Sequence, residues 1–407
     1  MKDKKRWKKM KTTIKLIMGF LMFVLFIGIS GCVLNEKQQG TIKIMTSLPM
    51  RRIDVGQDIY NGIRMALEEA DYKAGKFKIE IISEDDSNRD GAWSKDLEER
   101  IAEKAVADPD VMVYIGPFNS GAAKVSIPLT NQAGLVQISP GNTWPGLTKA
   151  GFLPEEPGIF YPTGIRNYFR VCPTDAVQGP AGAIWAKGMG FNNVYIFDDG
   201  EAFGKGIGDI FEKRAKIIGL NVVGHKTIDK KSKDFTKELT DIRDIQLDLI
   251  YFAGITPNGA VPLVKGIKEL GITAKFMGPD GIMEQAFIDL GGDATEGAYV
   301  TVVGIPAKEL KGKGKEFYEN YLIRYNSEPG VYSAFGYEAA NVALLAIKRA
   351  GVKDRAKILE EVSKIKNYDG LFGTWSFDQN GDTSLTIVSG SRVKNREFVF
   401  EKLLYAE

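Results

Sequence analysis

The chain has 407 residues, 44% hydrophobic and 26% charged, a globular composition with room for two or more domains. Its net charge of +2 misleads, because residues 1–31 hold eight of the 54 basic residues and one of the 52 acids. Without them 46 basic residues face 51 acids, a net charge of −5, which argues against a nucleic-acid-binding surface.

Eight basic residues, Lys2 to Lys15, precede an apolar run from Leu16 to Ile29 and the sequence Ile29-Ser30-Gly31-Cys32. That is the layout of a secretory signal peptide over residues 1–31, too short for a comfortable membrane span. The cysteine at the cut resembles the lipobox of bacterial lipoproteins, in which the new N-terminal Cys receives lipid. The resemblance implies lipidation at Cys32, a polar tether over residues 32–40, and an extracytoplasmic protein anchored to the cell membrane. With Cys32 acylated, Cys172 has no partner, so it reads as a buried thiol rather than half of a disulfide.

Thr41–Thr46 reads as a strand, and a helix is expected near Asp54 with Gln57 as capping-box partner. Ile59, Ile63, Leu67 and Ala70 form one apolar stripe at helical spacing. After a strand at Lys78–Ile82, the acidic stretch Glu84–Asn88 reads as a solvated loop capping a helix over Trp93–Ala107. The apolar run Val111–Ile115 predicts a strand buried on both faces. It stops at Gly116-Pro117, and Asn119-Ser120-Gly121 opens a helix that Pro128 should interrupt. This arrangement aims free N–H groups and a hydroxyl at a point that suits a carboxylate or phosphate. The same residues would also serve as an ordinary helix cap. A strand at Leu135–Ile138 leads to a second polar loop, Ser139–Thr143; a Gly/Pro-rich excursion over Lys149–Pro162 and a strand near Tyr168–Val171 follow.

From Asp175 the pattern repeats. Strands are expected at Val194–Phe197, Leu220–Val223, Leu249–Ala253 and Ala274–Gly278, separated by helices at Gln178–Lys187, after Gly204, Phe235–Ile245 and Asn258–Leu270. Gly204–Gly208 lacks the spacing and terminal Lys-Ser/Thr of a phosphate loop. His225, the only histidine, falls in a polar loop and reads as solvated; alone it makes a His-based triad or multi-His metal site hard to assemble. Regular alternation means parallel α/β sheets with helices on both faces, here in two sets. The sets echo each other: IGPFNSGA (115–122) aligns with AGITPNGA (253–260), and ISPGN (138–142) with MGPDG (277–281). The last third returns to helices at Gly314–Tyr325, Tyr337–Gly351 and Asp354–Lys364, then a hairpin of Thr383–Gly390 with Glu397–Leu404. Asp378–Asp382 lacks the glycine and glutamate positions of a calcium loop, and Asn380-Gly381 signals a turn instead.

GQDIYNGIRMALEEA, YIGPFNSGA, ISPGNT, TDAVQG, FMGPDG and FGTWSFDQNGD, in this order, resemble the substrate-binding lipoproteins of branched-chain amino acid ABC transporters, the Leu/Ile/Val-binding type. The resemblance runs from about Thr41 to the C-terminal hairpin. It implies a type I periplasmic-binding-protein fold: two doubly wound α/β lobes joined by three crossover segments. Lobe 1 would span 41–172 plus 304–385, and lobe 2 would span 173–303 plus 386–407. It further implies that Ser120 binds a ligand α-carboxylate, Thr143 bridges carboxylate and ammonium, and the Gly141 carbonyl accepts from the ammonium. Asp280 would pair with the ammonium when the cleft shuts. Where some members frame the ligand side chain with aromatics, this chain has Val55, Phe203 and Ile255.

The function so implied is capture of an amino acid, branched-chain or otherwise apolar, by a monomer that hands it to an ABC permease and its ATPase subunits. An alternative is a ligand-sensing lipoprotein that binds an amide or similar solute for a receptor. One histidine and no GxSxG argue against an enzyme, and no cofactor or metal is expected.

Overall fold

The computed structural model describes residues 40–407; the expected signal peptide, Cys32 and the expected tether up to Gln39 lie outside the described residues. The first sheet contains β1 (Thr41–Leu48), β2 (Lys73–Ala74), β3 (Phe77–Asp85), β4 (Val111–Ile115), β5 (Val136–Ser139) and β6 (Tyr168–Arg170). Their order is β2-β3-β1-β4-β5-β6, parallel except for the β2–β3 pair. The second sheet is built from β7 (Asn193–Asp198), β8 (Asn221–Thr227), β9 (Leu249–Ala253), β10 (Lys275–Gly278) and β11 (Tyr299–Val303). After a small hairpin of β12 (Tyr368–Gly370) and β13 (Gly373–Trp375), β14 (Val388–Lys394) and β15 (Glu397–Leu404) join it antiparallel. Its order is β15-β14-β11-β10-β9-β7-β8.

Without the antiparallel additions, both sheets read 2-1-3-4-5. In such sheets ligands bind beyond the strand ends where the order reverses, here between β1 and β4 and between β7 and β9. The two sequence echoes fall on matching strands: β4 with β9, and β5 with β10.

Every residue of β4, β9 and β11 is buried, as expected of central parallel strands. One core joins the first sheet to the helices Asp58–Glu69, Lys313–Tyr325, Val331–Ala350 and Arg355–Ser363; two others cover the second sheet. Ile59, Ile63 and Leu67 are fully buried in the first, each contributing about 1.5–3 kcal/mol. The chain passes between the sheets after β6, after β11 and before β14.

Several local expectations change. The helix expected near Asp54 begins as a π-turn, Ile53–Gln57; Gln57 forms no capping box, and its amide donates to Asn61 Oδ1 at 3.0 Å instead. Pro128 does not interrupt the helix Ser120–Gln132, which runs through it. The sequence reading misses β11 and starts the helix Val331–Ala350 six residues late, at Tyr337. Glu84–Asn88 is not simply solvated: Asp86 and Ser87 are buried. The strand before His225 extends through it to Thr227, so the ring is not in a solvated loop. It sits between Glu212 (Nδ1 to Oε2, 2.6 Å) and Asp198 (Nε2 to Oδ2, 3.1 Å). Burial opposes its charge, but the bonds to these acids prevail and raise its pKa.

Candidate functional site

At the end of β4, Gly116 has φ +128°, and a Cβ there would stand 2.3 Å from the Ser47 carbonyl oxygen. Only glycine fits so close a turn. The extended Asn119 then stands at the N-cap position, with no side-chain capping bond, before a helix whose first residue is Ser120, 2% exposed. The first-turn N–H groups lack intrahelical acceptors, which leaves them for a ligand. Ser120 Oγ accepts from the Trp144 N–H at 3.2 Å, so its own proton remains free to donate.

The loop after β5 is tied down from three directions. Ser139 Oγ accepts from the N–H groups of Gly141 (3.2 Å) and Asn142 (2.9 Å) and donates to the Pro117 carbonyl (3.1 Å). Asn142 donates to the Phe118 carbonyl at 2.7 Å and accepts from the Tyr168 hydroxyl at 2.8 Å. The fully buried Arg170 donates to the carbonyls of Asn142 (3.1 Å) and Trp144 (2.8 Å), while its Nε meets Asp382 Oδ1 at 2.7 Å. Gly141 packs so tightly on Phe118 that a Cβ would lie 2.4 Å from the ring. Thr143, 1% exposed, is therefore presented by a rigid support.

In the second sheet the equivalent loop begins at Pro279, and Asp280 starts a short 3₁₀ turn, Asp280–Ile282. Asp280 is 6% exposed; its Oδ2 accepts from the Tyr332 hydroxyl, and its Oδ1 has no partner. Burial pushes this carboxyl up, against the pull of the Tyr332 hydroxyl. Nearby Asp175 is fully buried with neither oxygen bonded, and burial, then the charge of Asp280, drives it well above the carboxylate range. Cys172 is buried too, which raises its thiol pKa.

These loops enclose a cavity of about 10 Å³ lined by Phe118, Asn119, Ser120, Gly141, Thr143, Phe203, Ile255, Asp280 and Gly281. Six of the seven residues named from sequence share it; Val55 does not. Val55 lines a larger cavity of about 520 Å³ that shares Asp280 with the first. The small cavity has room for about one water, so the two sets of loops meet closely here while the larger space beside them stays open. Contacts across it include Tyr332 to Asp280, Arg52 to Glu284, and the Ala286 N–H to Asp54 Oδ2 at 3.0 Å. Tyr332 and the cavity-facing role of Phe118 are absent from the sequence reading. Phe118 lies inside a quoted motif, but nothing local marks Tyr332.

A sequence profile described as periplasmic binding protein matches residues 46–387. The chain belongs to that family. It is 26% identical over 336 residues to an amino acid binding protein of Pseudomonas aeruginosa, covering 81% of this chain and 84% of that one. A leucine binding protein from Thermotoga maritima superposes with a TM-score of 0.80 at 28% identity, over 90% of this chain and 99% of its own. The fold is shared as well by a branched-chain amino acid transporter substrate binding protein from Streptococcus pneumoniae in complex with isoleucine. There the TM-score is 0.76 at 23% identity, over 89% of this chain and all of that one. The architecture is thus the type I periplasmic-binding-protein fold, two doubly wound lobes joined by three crossovers. Among the described residues no helix is long and apolar enough to cross a membrane.

Proposed function

We propose that the protein is an extracytoplasmic solute-binding lipoprotein that captures an amino acid, branched-chain or otherwise apolar, in the interlobe cleft. One observation carries this reading: a small cavity with donors on one wall and, on the other, a buried carboxylate with an unpartnered oxygen. An α-amino acid has the complementary pair of charges. Ser120 and the N–H groups beside it receive the carboxylate, where a helix N-terminus favours an anion. Thr143 bridges both groups, and the Gly141 carbonyl and Asp280 take the ammonium through charge-assisted bonds. Phe203 and Ile255 wall the cavity, and Val55 borders the adjoining space into which a side chain extends.

The amino acids named for the relatives above support this ligand class. Lobe 1 comprises 41–172 plus 304–385, and lobe 2 comprises 173–303 plus 386–407. A monomer tethered by lipid at Cys32 delivers its cargo to an ABC permease and the associated ATPase subunits, and catalyses no reaction. A thermal-shift panel of amino acids on the mature chain is the test. Leucine, isoleucine or valine at about 100 times Kd should stabilise the protein by about 2.7 kcal/mol. No shift with any amino acid overturns the reading.

A further inference from the structure

Arg52 and Glu284 lie outside the small cavity yet span the same cleft. Arg52 lies in the turn after β1, and Glu284 lies in the segment 279–284 that also bears Asp280. Their side chains are 6% and 3% exposed. Arg52 donates from Nε to Glu284 Oε2 at 3.2 Å and from Nη2 to Oε1 at 3.1 Å. Its guanidinium stands 5.5 Å from the centre of the Phe118 ring, a wall of the cavity. Asp86, after β3, is fully buried with neither oxygen bonded; burial, then the charges of Glu98 and Asp85, push its carboxyl well above the usual range against the pull of the Arg52 charge, and Arg52 Nη1 is itself unpartnered.

We propose that Arg52 and Glu284 form a closure latch that sets how long ligand stays in the cleft. This rests on the reading above, in which the lobes open and shut around a solute. Two fully dehydrated charges gain little over their hydrated, separated state, so the pair is reversible rather than a permanent rivet. Glu284 and Asp280 ride on one segment, so the movement that brings Asp280 to the ligand also seats Glu284 on Arg52. Opening must break both contacts, which places the latch's effect in the dissociation rate.

The test is stopped-flow binding of leucine to the mature protein and its Glu284→Gln and Arg52→Lys variants. Glu284→Gln should raise koff roughly ten- to a hundredfold while kon stays within about threefold. Arg52→Lys, which keeps the charge but loses the fork, should raise koff less. A second arm needs no ligand: spin labels at Ile217→Cys and Ile323→Cys, both exposed, report the interlobe distance. Glu284→Gln should deplete the short-distance population of the unliganded protein. If wild type fails to bind leucine, the label arm still judges the latch independently of the amino-acid reading. A folded Glu284→Gln protein with unchanged koff and unchanged distances overturns it. Should that variant not fold, the same outcome for Arg52→Lys does so.

Discussion

The two lobes share a strand order but equip their matching loops differently. After β4 and β5, Ser120 and Thr143 stand on a support cross-tied by Ser139, Asn142 and Arg170, with donors left over. After β9, the counterpart of Ser120 is Asn258, and its amide is already used, donating to Asp199 Oδ2 at 2.8 Å. After β10, the counterpart of Gly141 is Asp280, which lines the cavity and has one oxygen without a partner. One scaffold has thus become a preformed donor half and an acid half that meets it across the cleft. Matching topology sets where the loops lie, and the tying of individual loops decides which polar groups each half leaves free.

The comparison can be broken at its rigid side first. Arg170→Met should cost about 3–5 kcal/mol of stability in a denaturant titration, because it leaves Asp382 buried without its closest partner. The low end is expected, since Lys149 remains 3.0 Å from Asp382. A loss below about 1 kcal/mol, typical of a surface ion pair, would show that Arg170 is no keystone. Next, Asp280→Ala should weaken amino-acid binding by roughly 2–5 kcal/mol, mostly through koff, as for truncation of a buried charge pair. Ser120→Ala should cost about 1.5–3 kcal/mol by calorimetry, the value of a hydrogen bond to a charged group. If both variants bind like wild type, the division into donor and acid halves is wrong.

The smallest effect concerns pH. Burial pushes Asp58, Glu98, Asp199 and Glu338 up to about 7. A carboxyl whose folded pKa is raised contributes stability that is complete below its unfolded pKa near 4 and is lost as pH rises through about 7. Scanning calorimetry of the unliganded protein should therefore give a Tm that falls between pH 5 and pH 8. A Tm rising across that window contradicts the account. Three of the four acids pack with the first sheet, so hydrogen exchange should loosen most there.

Much of this was legible in the sequence because the informative signals are local. Apolar runs such as Val111–Ile115 marked central strands, and short Gly/Pro/Ser loops marked their C-terminal ends. The order of those loops put Ser120, Gly141, Thr143, Phe203, Ile255 and Asp280 on one short list, and the folded chain gathers them around one cavity. What escaped depends on partners far apart in the chain. Tyr332 reaches Asp280 from the first turn of a helix whose start was read late, and Arg170 finds Asp382 across 212 residues. Arg52 and Glu284 are 232 residues apart. Asp86 and His225 were misjudged for a related reason. Polar neighbours in sequence suggested solvent, whereas packing from other elements buries Asp86 and holds His225 partly buried between two acids.

The central claim, that the acid half reads the ligand's ammonium, has one direct test. Calorimetry would compare leucine with 4-methylpentanoate, the same molecule without its amino group, on wild type and on Asp280→Asn. The account predicts that wild type prefers leucine strongly and that Asp280→Asn erases most of that preference by weakening leucine alone. Equal binding of the two compounds to wild type, or an undiminished preference in the variant, would contradict it.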